Sequence, residues 1–95
     1  MHFCVTYDIS SNRLRRIAAR LCKQAGLLRL QRSVFFGKAP KKLIAEMETQ
    51  IRAEMSHNDS LCILFLSQEN WDQMRLFGQN PTKEILGRTE TARYF

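Results

Sequence analysis

Asp8 is the only carboxylate in the first 45 residues, and a long cationic segment follows it. Residues 9–45 contain no acidic side chain and ten basic ones. The basic residues are Arg13, Arg15, Arg16, Arg20, Lys23, Arg29, Arg32, Lys38, Lys41 and Lys42. A positive field of this kind attracts a polyanion such as a nucleic-acid backbone. The single carboxylate beside it is the position in this segment that suits a hard cation such as Mg²⁺.

Four of the basic side chains recur at the spacing of one helix face. They are Arg13, Arg16, Arg20 and Lys23, at positions i, i+3, i+7 and i+10. Most charged stripes are ordinary solvated faces, and that interpretation stays open here. Such faces usually mix signs, however, because like charges three or four residues apart repel each other. The unmixed stripe therefore favours phosphate binding.

Asp8 closes the first predicted strand, and two roles are open for it. An aspartate there can accept hydrogen bonds from backbone amides of the following turn. Against this local role, Ser10, Ser11 and Asn12 already provide several candidate helix caps. As a metal ligand, Asp8 is one carboxylate per chain, which is little for Mg²⁺. Two chains that placed their Asp8 residues together would supply an adequate site.

The elements that must position these side chains follow from composition and periodicity. Residues 2–7 are β-branched and aromatic and predict a strand. A helix with apolar residues at helical spacing follows and stops at Gly26. Residues 27–36 predict a strand or a tight strand pair ending at Gly37. Within it, Arg29 and Arg32 are three apart and should point to opposite faces, so that only one of them joins the basic site.

The second half of the chain repeats this alternation. Pro40 suits the first turn of a second helix that ends near residues 57–58. Residues 61–66 form a continuous apolar run, which is typical of a strand buried on both faces. Ser67 can cap a short helix that carries Trp71. Residues 79–95 have weak signals, with a short strand possible at 83–86 or 92–95.

This β-α-β-β-α-β order predicts an α+β, ferredoxin-like sandwich with an antiparallel sheet and both helices on one face. The apolar alternation of the strands predicts that the other face is also buried, most simply against a second copy of the chain. Residues 1–78 are expected to form the domain, and 79–95 a C-terminal tail.

The bulk composition agrees with a small nucleic-acid-binding protein. The chain has 95 residues and a net charge of +6, which fit one domain. Cys4, Cys22 and Cys62 form no CxxC pair and are expected to be reduced thiols of a cytoplasmic protein. No apolar segment is long enough to cross a membrane, and no signal-peptide pattern opens the chain, so no membrane partner is expected.

Three stretches together carry a family pattern. They are Thr6-Tyr7-Asp8-Ile9 at the end of the first strand, the basic helix, and Gly26-Leu27 followed by Arg29-Leu30-Gln31-Arg32-Ser33-Val34-Phe35 and Gly37. In this combination the chain resembles the CRISPR-associated protein 2 family, the small subunits of the spacer-acquisition machinery. The resemblance implies a ferredoxin-like homodimer in which the C-terminal strand of one chain completes the sheet of the other.

The same resemblance implies two activities. In the first, Asp8 of each subunit holds a shared Mg²⁺ ion that activates water, as in a metal-dependent endonuclease acting on RNA or double-stranded DNA. Tyr7, Arg15, Arg29, Ser33 and Phe35 match motif positions around that site. In the second, the dimer bridges two copies of an integrase dimer in a heterohexamer-type complex, and its basic surface holds the incoming duplex.

Three functions therefore stay open. One is a metal-dependent phosphodiesterase, and another is a non-catalytic DNA-binding scaffold within the integration complex. The third is a ferredoxin-like nucleic-acid binder or toxin-type ribonuclease outside this system. One carboxylate per chain is sparse for a nuclease, which favours the scaffold, although the first two can hold together.

Overall fold

The computed structural model describes residues 1–78 and contains a single four-stranded antiparallel sheet in that range. The elements are β1 (His2–Asp8), α1 (Asn12–Gln24), β2 (Leu28–Gln31), β3 (Val34–Lys38), α2 (Lys41–Glu54), β4 (Ser60–Leu66) and α3 (Gln68–Asp72). The strand order is β2-β3-β1-β4. The predicted ferredoxin-like α+β fold is confirmed, including the tight strand pair. The predicted tail, 79–95, lies outside the described residues.

Helix α1 begins and ends where its sequence places the signals. The Ser11 side chain accepts a hydrogen bond from the Leu14 amide at 3.2 Å and so caps the first turn. Gly26 ends the helix with φ of 105°, a backbone conformation that residues with a side chain rarely adopt. A Cβ at this position would lie 3.3 Å from the Lys38 carbonyl oxygen, so the turn also needs the space that glycine leaves.

The main core lies between the sheet and the two long helices. Alternate residues of β1 point into it, namely Phe3, Val5 and Tyr7, and β3 contributes the fully buried Phe35 opposite Val5. The helices add apolar residues at helical spacing: Leu14, Ala18 and Cys22 from α1, and Ile44, Met47 and Ile51 from α2. Each large buried side chain stabilises the fold by about 1.5–3 kcal/mol relative to an exposed one.

The other face of the sheet carries a smaller core under α3. Ser67 and Asn70 form a reciprocal capping box at the start of this helix, which confirms the predicted cap. Trp71 is buried against Phe36, and its ring stacks on His2 with centroids 4.3 Å apart. Part of the face that was expected to meet a second copy is therefore covered by the chain's own helix.

The prediction that residues 61–66 are buried on both faces is wrong for the single chain. Strand β4 stands at the edge of the described sheet, where it pairs with β1. Its residues are half-buried or exposed, and the consecutive Leu64 and Phe65 are 51% and 57% exposed. A continuous apolar run indicates that both faces avoid water, but it does not say whether the cover comes from the same chain.

Within residues 1–78, no helix has the length and apolar character needed to span a bilayer.

Candidate nucleic-acid interface

A basic groove of about 570 Å³ lies between α1 and the β2–β3 hairpin. Its lining residues are Tyr7, Asn12, Arg15, Arg16, Ala19, Arg20, Lys23, Gln24, Arg29, Arg32 and Ser33. Six of them are cationic and none is acidic. The sequence predicted five of these six cations as members of a nucleic-acid site, and the fold brings them together from two different elements.

One wall of the basic groove is the exposed face of α1. Arg16, Arg20 and Lys23 lie on the side of the helix opposite the apolar residues that face α2 and the sheet. Arg16 and Arg20 are four residues apart, and like charges at this spacing cost an isolated helix about 0.2–0.5 kcal/mol. An anion bound from outside the chain would offset this repulsion.

Arg13, which the sequence placed in the same stripe, does not line the groove. Its guanidinium forms an ion pair with Glu54 at the end of α2. Position 13 lies at the edge of the stripe that borders α2, whereas Arg15 lies at the edge that borders the sheet. The groove-facing side of α1 is thus rotated toward Arg15. The ion pair itself is exposed and contributes little to stability.

The second wall is the β2–β3 hairpin, and it corrects one expectation. Arg29 and Arg32 both line the groove, although strict strand alternation predicted opposite faces. Strand β2 ends at Gln31, and its register with β3 shifts between Arg29 and Gln31. Arg32 therefore lies in the turn, where the two-residue period of a strand no longer sets the side-chain direction.

The motif residues Tyr7 and Phe35 contact Arg29, and Ser33 contacts Tyr7. The Arg29 guanidinium carbon lies 5.0 Å from the centroid of the buried Phe35 ring, a cation–π distance. Tyr7 stacks on the same ring at 6.4 Å, and its backbone amide donates to the Ser33 carbonyl at 3.1 Å. Burial raises the pKa of the Tyr7 hydroxyl, and a hydrogen bond from Arg29 opposes that shift. At neutral pH this hydroxyl is a neutral donor at the groove floor.

Arg15 is held at the groove by the loop between β1 and α1. Its Nη1 donates to the Ile9 carbonyl at 2.7 Å and to the Ser10 carbonyl at 3.2 Å. No acceptor for its Nε or Nη2 occurs among residues 1–78. One edge of the guanidinium is thus fixed by backbone, and the other is available to an anion in the groove.

Asp8 lies apart from the groove. It ends β1 opposite Ser60, is exposed, and by strand alternation sits on the sheet face opposite Tyr7. Within the described range its carboxylate accepts no hydrogen bond, and Ser11 caps the following helix. The local structural role that was open for Asp8 is therefore filled by another residue.

The donor set around Asp8 fits half of a Mg²⁺ site. In the part of the chain that the structure describes, no three potential ligands among His, Cys, Asp and Glu cluster together. One unengaged carboxylate suits a hard cation in chemistry but not in number. A complete site would need further ligands from outside residues 1–78.

Asp59 holds the loop next to the groove, and this role was not predicted from the sequence. Its Oδ1 accepts hydrogen bonds from the Ser10 amide at 3.0 Å and the Ser10 hydroxyl at 3.2 Å, and its Oδ2 accepts from the Ser56 amide at 3.0 Å. These bonds to Ser10 and Ser56 lower the pKa of the Asp59 carboxyl. Ser10 is 49 residues away along the chain, and no local motif could have signalled the contact.

Comparisons with known proteins bear on the identity of the fold and site. The family model described as CRISPR associated protein Cas2 matches residues 1–74. A fusion of CRISPR-associated endonuclease Cas1 and endonuclease Cas2 from Thermoproteus tenax is 32% identical over 73 residues, which are 76% of this chain and 28% of the fusion. The chain thus spans less than a third of that relative.

Two solved structures resemble the chain over most of its length. A hypothetical protein from Thermus thermophilus has a TM-score of 0.68 at 27% identity and is matched over 84% of this chain and 93% of its own. Cas2 from Streptococcus pyogenes has a TM-score of 0.63 at 26% identity, over 75% of this chain and 90% of its own.

Proposed function

The chain belongs to the CRISPR-associated Cas2 family, and we propose that it serves CRISPR adaptation as a subunit that holds duplex DNA by its phosphate backbone. The observation that carries the proposal is the basic groove, where six cations from two elements face each other without a carboxylate. Backbone phosphates are the ligand for which such an arrangement is complementary, because each phosphate needs one neutralising charge.

The chemistry of the groove indicates contact with backbone rather than with bases. Six of its eleven lining residues are arginine or lysine, and the neutral Tyr7 hydroxyl and Ser33 add donors of the kind that bind phosphate oxygens. Contacts of this type fix position and carry no sequence information. The groove is therefore expected to bind nucleic acids of any sequence. Double-stranded DNA is the proposed ligand, and RNA is the competitor that the assay below must include.

A homodimer is part of the proposal. Leu64 and Phe65 are half exposed on the edge strand β4, and Cys62 is exposed on the same strand. Large exposed side chains on a free sheet edge are usually covered by another chain. The expected partner is a second copy, with the exchanged strand drawn from residues 79–95.

An integrase subunit is the proposed second partner. The Thermoproteus tenax relative joins a Cas1 and a Cas2 endonuclease in one polypeptide. Fusion of two proteins supports an association between their separate counterparts. In the proposed assembly the dimer bridges two such integrase units, and the basic groove of each chain holds the duplex between them.

The experiment compares a groove variant with a variant matched in charge. Arg16→Gln with Arg20→Gln removes two groove cations, whereas Arg52→Gln with Lys42→Gln removes two cations from α2. Fluorescence anisotropy with labelled duplex DNA, and with RNA of the same sequence as competitor, gives both affinities. The groove variant should bind at least tenfold more weakly than the α2 variant, since the lost contacts are direct rather than long-range. Equal losses would place the nucleic acid elsewhere.

A second function, Mg²⁺-dependent endonuclease activity, is favoured by the unengaged carboxylate of Asp8. Two such carboxylates, one from each subunit, would provide the ligand number that one chain lacks. A Mg²⁺ ion held there would supply activation of water for phosphodiester hydrolysis. The contribution of this chain is an exposed carboxylate at the end of β1, on the sheet face opposite Tyr7.

Substitution of Asp8 separates this function from binding. Asp8→Asn preserves size and removes the charge, so Mg²⁺-dependent cleavage of RNA or duplex DNA should be lost while binding by the groove persists. The matched control is Glu46→Gln, an exposed acid on α2, which should cleave as the wild type does. Cleavage by a clean Asp8→Asn preparation would show that Asp8 does not hold the catalytic metal.

A further inference from the structure

We propose that Asp59 is a positioning residue for the basic groove, because it fixes the loop whose carbonyl groups hold Arg15 toward the bound phosphate. The inference rests on the proposed nucleic-acid binding and assigns a role to a residue outside the groove. Asp59 precedes β4, near the end of β1, and it is not among the residues that line the groove. It can therefore influence binding only through the contacts that it makes or through its charge.

One carboxylate, that of Asp59, joins two loops of the chain. Asp59 accepts two bonds from Ser10 through Oδ1 and one from the Ser56 amide through Oδ2. The β1–α1 loop is thereby tied to the loop between α2 and β4. Hydrogen bonds to an ionised acceptor are stronger than neutral ones, so this carboxylate can hold an otherwise exposed segment in place.

The loop that Asp59 holds also contacts Arg15, a residue of the groove. The carbonyl oxygens of Ile9 and Ser10 both accept from Nη1 of Arg15, at 2.7 and 3.2 Å. Ser10 thus donates to Asp59 and accepts from Arg15. A guanidinium held in this way loses less rotamer freedom when it binds a phosphate than a free side chain does. Release of the loop would return that freedom to Arg15 and weaken binding.

A positioning role and a simple charge effect of Asp59 predict opposite changes in DNA affinity. Asp59 is an anion, and its removal makes the protein more positive. Through the long-range field alone, Asp59→Asn should bind a polyanion slightly more tightly. Positioning predicts the opposite, since an amide at this position cannot accept from both loops through two oxygens. The direction of the change in affinity therefore tests the idea.

The experiment measures anisotropy with labelled duplex DNA for Asp59→Asn and for Glu46→Gln, which loses the same charge on α2. We expect Asp59→Asn to bind roughly two- to tenfold more weakly, the range for ordering one flexible side chain. Glu46→Gln should bind as well as the wild type or better. In an Arg15→Ala background, Asp59→Asn should have no further effect. A loss that persists without Arg15, or Asp59→Asn affinity equal to that of Glu46→Gln, would overturn the proposal.

A second measurement needs no nucleic acid. The ¹⁵N–¹H heteronuclear NOE of the Arg15 Nε–H group reports its order in the free protein and should fall in Asp59→Asn. If the wild type fails to bind duplex DNA, the proposed function fails while this signal still decides the positioning role. Ser10→Ala removes one bond to Asp59 without a change of charge, and its Arg15 NOE should fall by a smaller amount. This variant replaces Asp59→Asn in the measurement if Asp59→Asn does not fold. An unchanged NOE in the folded variants would refute the role.

Discussion

The salt dependence of DNA binding should report the number of groove cations that contact phosphate. The logarithm of the binding constant for duplex DNA falls with the logarithm of salt concentration, with a slope of about −0.9 for each neutralised phosphate. Six cations line the groove of one chain. Full engagement of one groove therefore gives a slope of about −5.4 for the wild type. Loss of Arg16 and Arg20 should reduce it to about −3.6.

These slopes correspond to large and separable effects. Between 50 and 200 mM salt, wild-type affinity should fall roughly 2,000-fold and that of the Arg16→Gln/Arg20→Gln variant roughly 150-fold. The two curves should therefore converge as salt rises. Anisotropy titrations at five or more salt concentrations, with protein concentration varied to reveal the dimer, give both slopes. The Arg52→Gln/Lys42→Gln variant serves as the control and should keep the wild-type slope.

Two results would refute this reasoning. A groove variant with the wild-type slope but lower affinity would mean that Arg16 and Arg20 affect the fold or the dimer and not phosphate contacts. A control variant that loses as much slope as the groove variant would mean that the ligand follows the net charge of the whole chain. In either case the concave site between α1 and the hairpin would have no special part in binding.

Three further outcomes follow from the described packing. Phe35→Leu should lower the free energy of unfolding by about 2–3 kcal/mol, since it loses the tyrosine stack and the cation–π contact as well as volume; urea denaturation checks this, and a change below about 0.5 kcal/mol would contradict it. Gly26→Ala should cost about 1–3 kcal/mol in the same assay, because φ is 105° and the new Cβ would press on the Lys38 carbonyl. Burial raises the pKa of Cys22 to about 12, so in the native protein at pH 8 iodoacetamide should alkylate the exposed Cys62 and leave Cys22 unmodified; equal labelling by mass spectrometry would show that the core opens.

Much of the fold could be predicted because its signals are local. Ser11, Gly26 and Ser67 each act within one helical turn, and the apolar periods of α1 and α2 are visible in the sequence itself. The apolar run of β4 was also recognised, but its exposure was not. Whether a strand lies at the edge or the centre of a sheet depends on chain topology and on partner chains, which the composition of one strand does not encode.

The candidate site could be predicted by residue type and less well by geometry. The cations of α1 can be predicted from their sign and spacing. Arg13 nevertheless pairs with Glu54, which is 41 residues away along the chain. Arg32 joined the groove because a turn replaced the expected strand. Asp59 was missed altogether, since its partners are fixed only when two distant loops meet. Tertiary contacts decided each of these cases.

The absence of acids from the basic groove has a consequence for the free protein. Six like charges around one concavity repel each other, so the folded chain without a ligand carries electrostatic strain that the unfolded chain largely escapes. Any polyanion that fills the groove relieves this strain and binds the native state in preference to the unfolded one. Heparin or sulfate, neither of which is a nucleic acid, should then raise the melting temperature. Folding and occupancy are in this sense one linked equilibrium, and at low salt the protein with an empty groove should be less stable than the protein with a bound polyanion.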